Sequence, residues 1–265
     1  MPNSSRYPTD LSDAQWNVLE PLVPKVKPGG RPLTYPRREI LNAILYFKQA
    51  GCAWRLLPHD LPPRGIVSHY FRQWTRDGTW QHIHHRLRDQ VRQQYDKQNA
   101  PTAAILDSQT VKLGEQGGPS GYDAGKKIKG RKRHVLVDSL GLLWGVLVTA
   151  ASVQDRDGAK TLLDLVLRGL RRLQVIWADG GYAGQWVEWV KAQRPYGKLH
   201  WEIVKREAGV IGFAVVPKRW IVERTLAWLY QCRRLARDYE RKTAHSEAMI
   251  QIAMIGLMAR RLAKT

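Results

Sequence analysis

The sequence predicts a small all-α region followed by an α/β domain, a mixed sheet flanked by helices. Three observations carry that reading. From Leu11 to Tyr95 the apolar residues recur at helical spacing; after Gln98-Asn99-Ala100-Pro101 the texture changes to short runs rich in Ile, Val and Leu; and an amphipathic segment, 157–173, separates the third of those runs from the fourth. The expected domains are residues 1–98 and 99–265.

In the first part, Leu11, Trp16, Leu19 and Leu22 make one helical stripe and Ile40, Ile44, Leu45 and Phe47 another, with the Pro- and Gly-containing linker KVKPGGRPLTYP between them. Two further helices are expected at 64–76 and 80–94, separated by the breaker Asp77-Gly78. Short helices joined by a tight turn give a helix-turn-helix-like module. In the second part, strands are expected at 103–110, 134–139, 142–149 and 174–178, with a fifth near 213–216. Asp155 or Asp157 is placed to cap the 157–173 helix, and helices at 219–237 and 245–262 close the chain. Three strands in hairpin order, then helix, strand, helix and strand, is the order of a ribonuclease H-like fold, although other mixed sheets share it.

The charge balance is the first functional signal. The 265 residues carry 43 Lys and Arg against 23 Asp and Glu, a net +20, and the excess runs along the whole chain rather than in one tail. Such a surplus attracts polyanions, nucleic acid above all. Cys52 and Cys232 stand far apart with no CxxC spacing, which argues against a disulfide scaffold or a zinc site. The start MPNSSRYPTDLS has no apolar signal-peptide core, and the apolar region 248–259, broken by Gln251, is too short to span a bilayer. The expectation is a cytoplasmic protein with no membrane partner.

Two carboxylates stand in expensive places. Asp107 interrupts the apolar strand AILDSQTV, where an unpaired charge costs several kcal/mol or forces protonation. Backbone donors or a nearby Arg would compensate it; so would a hard divalent cation, which takes oxygen ligands. Asp179 ends the run VIWADGGY, and Asp-Gly is a common turn pair, yet ligand sites in open α/β sheets lie at such strand ends. Glu223 is the third candidate. On its helix Val222, Leu226 and Leu229 form the packed stripe, while Arg219, Glu223, Ala227, Tyr230 and Arg234 share an adjoining face on which small Ala227 leaves room beside the carboxylate. An Arg219–Glu223 ion pair at i, i+4 is the alternative role.

Asp107 in LDSQTVK, Asp179 in WADGGYAG and Glu223 in PKRWIVERTLAWL, together with GCAWRLLP, FRQWTRDGTW, DAGKKIKGRKRHVLVDSLG and CRRLARDYER, resemble the DDE transposases of bacterial insertion sequences in order and local context. The resemblance covers nearly the whole chain. It implies a ribonuclease H-like catalytic domain behind a helical one, in which Asp107, Asp179 and Glu223 hold two Mg²⁺ or Mn²⁺ ions and serve in-line displacement at phosphorus, first by water and then by a 3′-OH. Asp179 follows Asp107 by 72 positions and Glu223 follows Asp179 by only 44, so the form without a β-rich insertion is implied. In the wider signature around the Glu, Arg219 and Glu223 fit, whereas Val216 stands where relatives have Tyr and Tyr230 where they have a DNA-contacting Lys. Arg233 or Arg234 is a candidate replacement for that Lys.

The implied partner is double-stranded DNA, the terminal inverted repeats and the target, bound by a homodimer or larger assembly. The run containing Lys126, Lys127, Lys129, Arg131, Lys132 and Arg133 is read as a loop that clamps phosphates, and Arg219 as a phosphate ligand or a restraint on Glu223. Arg64, Ser68, His69, Arg72 and Gln73, on one N-terminal helix, are the candidates for base reading. Trp54, Trp74 and Trp80 are expected in the core, Trp220 and Trp228 beside the apolar stripe, and His82, His84 and His85 on the surface. A nuclease or resolvase of the same fold, or an inactive DNA-binding derivative, would have the same broad features.

Overall fold

The computed structural model describes residues 7–25, 34–115, 117–184, 188–189, 199–204 and 216–264. Two compact units are present, one comprising 1–95, 229–237 and 244–265, the other 96–228 and 238–243. The segments 229–237 and 244–265 cluster with the N-terminal helices, whereas the sequence reading assigns them to the second domain.

The first unit is helical. Its helices are α1 (Asp13–Leu19), α2 (Arg37–Ala50), α3 (Arg64–Arg76) and α4 (Thr79–Gln94). Ser12 and Gln15 cap α1 reciprocally, as a capping box. Aromatic residues fill the centre: Trp74 and Trp80 are each 1% exposed and meet edge to face at 5.0 Å, while half-buried Trp54 stacks on Phe47. The three histidines do point in different directions, but only His82 is exposed. His84 is 2% exposed, because its position on α4 lies in the stripe of Trp80, Leu87 and Val91.

The second unit is built on a sheet of β1 (Ala103–Lys112), β2 (Gly121–Asp123), β3 (Ile128–Asp138), β4 (Leu143–Ala150), β5 (Val175–Ala178) and β6 (His200–Ile203). β3 pairs antiparallel with β1, and β2 and β4 with β3; β5 lies parallel to β1, and β6 to β5. With the short β2 set aside, three antiparallel strands followed by two parallel ones is the predicted ribonuclease H-like arrangement. The expected strand near 213–216 falls mostly on residues outside those described, and Val216 is in no strand.

Alternation along β1 assigns its two faces. Ala104 and Leu106 join Leu136, Ile176 and Ala178 in a core covered by Ala159, Leu162 and Leu163 of α5 (Asp155–Val166). Neither Asp155 nor Asp157 is the N-cap of α5, which is Gln154. Ile105 and Asp107 project to the opposite face. The remaining helices are α6 (Trp220–Tyr230), the short α7 (Arg233–Ala236) and α8 (Thr243–Leu262). Among the described residues no helix is long and apolar enough to cross a membrane.

Candidate active site

The sheet itself brings the two aspartates level. The parallel register pairs Ile105 with Trp177, and two positions further along each strand stand Asp107 and Asp179. Residues in step on adjacent parallel strands share a face, so both carboxylates project to the same side. Asp107 Oδ1 accepts the Ser108 amide at 2.7 Å, and Asp179 Oδ1 accepts that of Gly181 at 2.9 Å, closing the turn after β5. Burial pushes the Asp107 carboxyl up to about 6; the Ser108 amide and the charges of Arg219 and Lys126 oppose that rise, and the negative charge of Asp179 adds to it.

Glu223 reaches the site on α6. Val222, Leu226 and Leu229 are buried as the apolar stripe requires, and Glu223 and Ala227 are exposed. The helix is fastened to the β3–β4 turn, where Thr225 Oγ1 donates to the Gly141 carbonyl at 2.9 Å and Arg224 to that of Leu140 at 3.2 Å. Gly141 has a φ of +77°, and a Cβ there would run into Thr225, so glycine suits both the turn and the contact. Before α6, Lys218 adopts a φ of +67°, pairs with Glu202 at 2.9 Å and lies over the Trp177 ring. That anchor holds the start of α6 against β5 and β6.

Arg219 joins the parts. Its Nη2 lies 3.5 Å from Glu223 Oε1 and 3.8 Å from Asp179 Oδ2. The i, i+4 ion pair is therefore present, but the same guanidinium also approaches Asp179 and influences Asp107. Among the described residues no group of three His, Cys, Asp or Glu side chains stands ready-made for a metal ion. The donor chemistry suits a hard divalent cation: Asp179 and Glu223 share one arginine, whose charge also acts on Asp107, and burial pushes that carboxyl toward protonation.

The basic run behaves differently from the expected loop. Strand β3 begins at Ile128, so Arg131, Lys132 and Arg133 are strand residues, 0, 5 and 1% exposed. Arg131 pairs with Asp238 at 3.1 Å and donates to the carbonyls of Pro119, Glu240 and Arg241. Lys132 points to the other face and pairs with Asp155 at 2.9 Å. All three are buried rather than an open phosphate clamp, and Arg131 and Lys132 are committed to carboxylates inside the unit. Lys126, Lys127 and Lys129 remain exposed, and Lys126 Nζ reaches the Ser108 carbonyl at 3.4 Å, beside Asp107. On α3, Arg64, His69 and Arg72 are exposed and Ser68 and Gln73 half-buried; Arg72 Nε donates to the Ser68 carbonyl. Arg234 is buried, over the Phe47 ring and bonded to the Cys52 carbonyl, and Arg233 is exposed.

Sequence reasoning overlooked the polar cluster behind Asp107. Ser108 Oγ donates to Asp155 Oδ1 at 2.8 Å, and Thr110 Oγ1 to Asp123 at 2.6 Å. The signal was in the alternation: Ser108, Thr110, Lys132 and His134 all point to the α5 side, a polar row in an otherwise apolar layer.

Comparison with known proteins decides the family. The "Transposase DDE domain" family matches residues 98–258, and "Putative transposase of IS4/5 family" matches residues 11–84. The chain belongs to the DDE transposase family. Among relatives of this DDE transposase family member is the "Putative transposase for insertion sequence element IS402" of Burkholderia cepacia. That protein is 32% identical over 142 residues, 51% of this chain and 64% of the relative. A second, the "Insertion element IS402 uncharacterized 16.2 kDa protein" of the same organism, is 32% identical over 89 residues, 31% of this chain and 60% of the relative. The chain thus spans less than two thirds of either relative's length.

Proposed function

We propose that this protein is the transposase of an IS4/5-type insertion sequence, cutting phosphodiester bonds at the element's ends and joining the freed 3′-OH to target DNA. The observation that carries the reading is the convergence of Asp107 and Asp179, level on adjacent parallel strands, with Glu223 tied to Asp179 through Arg219. Asp107, Asp179 and Glu223 are the residues that would hold two Mg²⁺ or Mn²⁺ ions. Bound there, the ions supply activation of the attacking oxygen and stabilisation of the leaving one.

The protein's own groups do the rest. The strand register fixes two carboxylates in step, and α6, fastened at Gly141, presents the third. The Arg219 guanidinium, released from carboxylates that gain another counter-charge, is placed to take a phosphate oxygen. Lys126, beside Asp107, adds positive charge along the backbone path, and the exposed face of α3 with Arg64, Ser68, His69 and Arg72 is the candidate reader of the inverted repeat. Two element ends must meet, so a homodimer or larger assembly on DNA belongs to the proposal.

Incubating the protein and Mg²⁺ with DNA that carries the element's terminal inverted repeats tests it. Joined products are the expected result. Nicks without joining would identify a nuclease, and binding without cleavage an inactive derivative.

A further inference from the structure

Asp155 stands at the first turn of α5, and its carboxylate is turned toward the sheet. Ser108 Oγ donates to it at 2.8 Å, and Lys132 Nζ pairs with it at 2.9 Å while also donating to the Val153 carbonyl at 2.9 Å. Lys132 lies 3.5 Å from Asp123, which accepts the Thr110 hydroxyl at 2.6 Å. Ser108 and Lys132 are buried, as is Tyr182. Ser108 follows Asp107 directly in β1, and Tyr182 lies three residues beyond Asp179, in the turn that Asp179 closes. The polar layer therefore grips the strand that carries Asp107, from the face opposite its carboxylate.

We infer that Asp155 is a positioning residue: through Ser108 it restrains the strand that carries Asp107, and so sets the affinity of the carboxylate site for divalent cations. The inference rests on the proposed function. A rotation of β1 about its axis would move Asp107 and Ser108 together, so a hydroxyl pinned on one face restrains a carboxylate on the other. Groups that orient a metal's ligands without touching the metal commonly govern affinity in this way.

The test is Mn²⁺ binding to the full chain, followed by calorimetry and by loss of the free-ion electron paramagnetic resonance signal, for wild type, Asp155→Asn, Ser108→Ala and Asp107→Asn. The expected result is a fall in Mn²⁺ affinity of about 10- to 100-fold in Asp155→Asn and in Ser108→Ala, with the melting transition retained. Should Asp155→Asn fail to fold, Ser108→Ala, which loses one hydroxyl only, decides the question. Wild-type affinity in Ser108→Ala, or in a folded Asp155→Asn, overturns the positioning role. If Asp107→Asn meanwhile loses Mn²⁺ binding, the proposed function still stands. Wild-type affinity in Asp107→Asn overturns both.

Discussion

Arg219 is the residue on which two readings of Glu223 meet. Its ion pairs at 3.5 and 3.8 Å join side chains that keep 22 to 48% of their surface in water, so their contribution to stability is small, about 1 kcal/mol or less. A merely structural ion pair would leave function untouched when lost. The expected outcome for Arg219→Ala is a melting temperature within about 4 °C of wild type, with DNA cleavage reduced at least about tenfold because a charged phosphate contact is missing. Calorimetric melting and a cleavage time course on the same preparation check both halves. The residues around Glu223 allow either ion pair or ligand and the resemblance makes it a ligand; the structure adds Asp179 beside the same guanidinium nitrogen.

At the scale of elements, α5 and α4 make the sharpest demands. Gly158 lets α5 settle onto β3, since a Cβ at that position would collide with the His134 ring, which is fully buried. Gly158→Ala is expected to destabilise the protein by about 1–3 kcal/mol, seen as a lower urea midpoint with an unchanged slope. In α4 the imidazole of His84 is buried, with Nε2 lacking a hydrogen-bond partner among the described residues. Burial, followed by the charge of Arg88, holds this histidine well below its ordinary range. The native state thus refuses a proton that the unfolded chain takes up below about pH 6.5, so stability is full above that pH and lost as pH falls through it. His84→Leu should therefore raise the urea midpoint more at pH 5.5 than at pH 8; an equal gain at both would contradict the buried neutral imidazole. Strand β6 was legible in the alternation of Leu199, Trp201 and Ile203 but too short to stand out. The early start of β3 was not legible, because the partners that bury Arg131 and Lys132, Asp238 and Asp155, are distant in sequence.

At the scale of the molecule, the proposed function joins a net charge of +20 to a carboxylate site: basic surface would hold a polyanion against a patch of negative charge. The patch would repel phosphate on its own, so the proposed chemistry would depend on cations. The order of the main strands and the places of Asp107 and Asp179 in it were readable because a ribonuclease H-like sheet leaves local marks: apolar runs, an aspartate inside one, and an aspartate at the end of another. Burial of the basic run was hidden, since local sequence shows charge but not its partner. The most direct test compares wild type with Glu223→Gln in Mg²⁺ on DNA bearing terminal inverted repeats. Strand joining by wild type, and its loss in Glu223→Gln with DNA binding retained, is the predicted result. Joining by Glu223→Gln at the wild-type rate would contradict the assignment of the site.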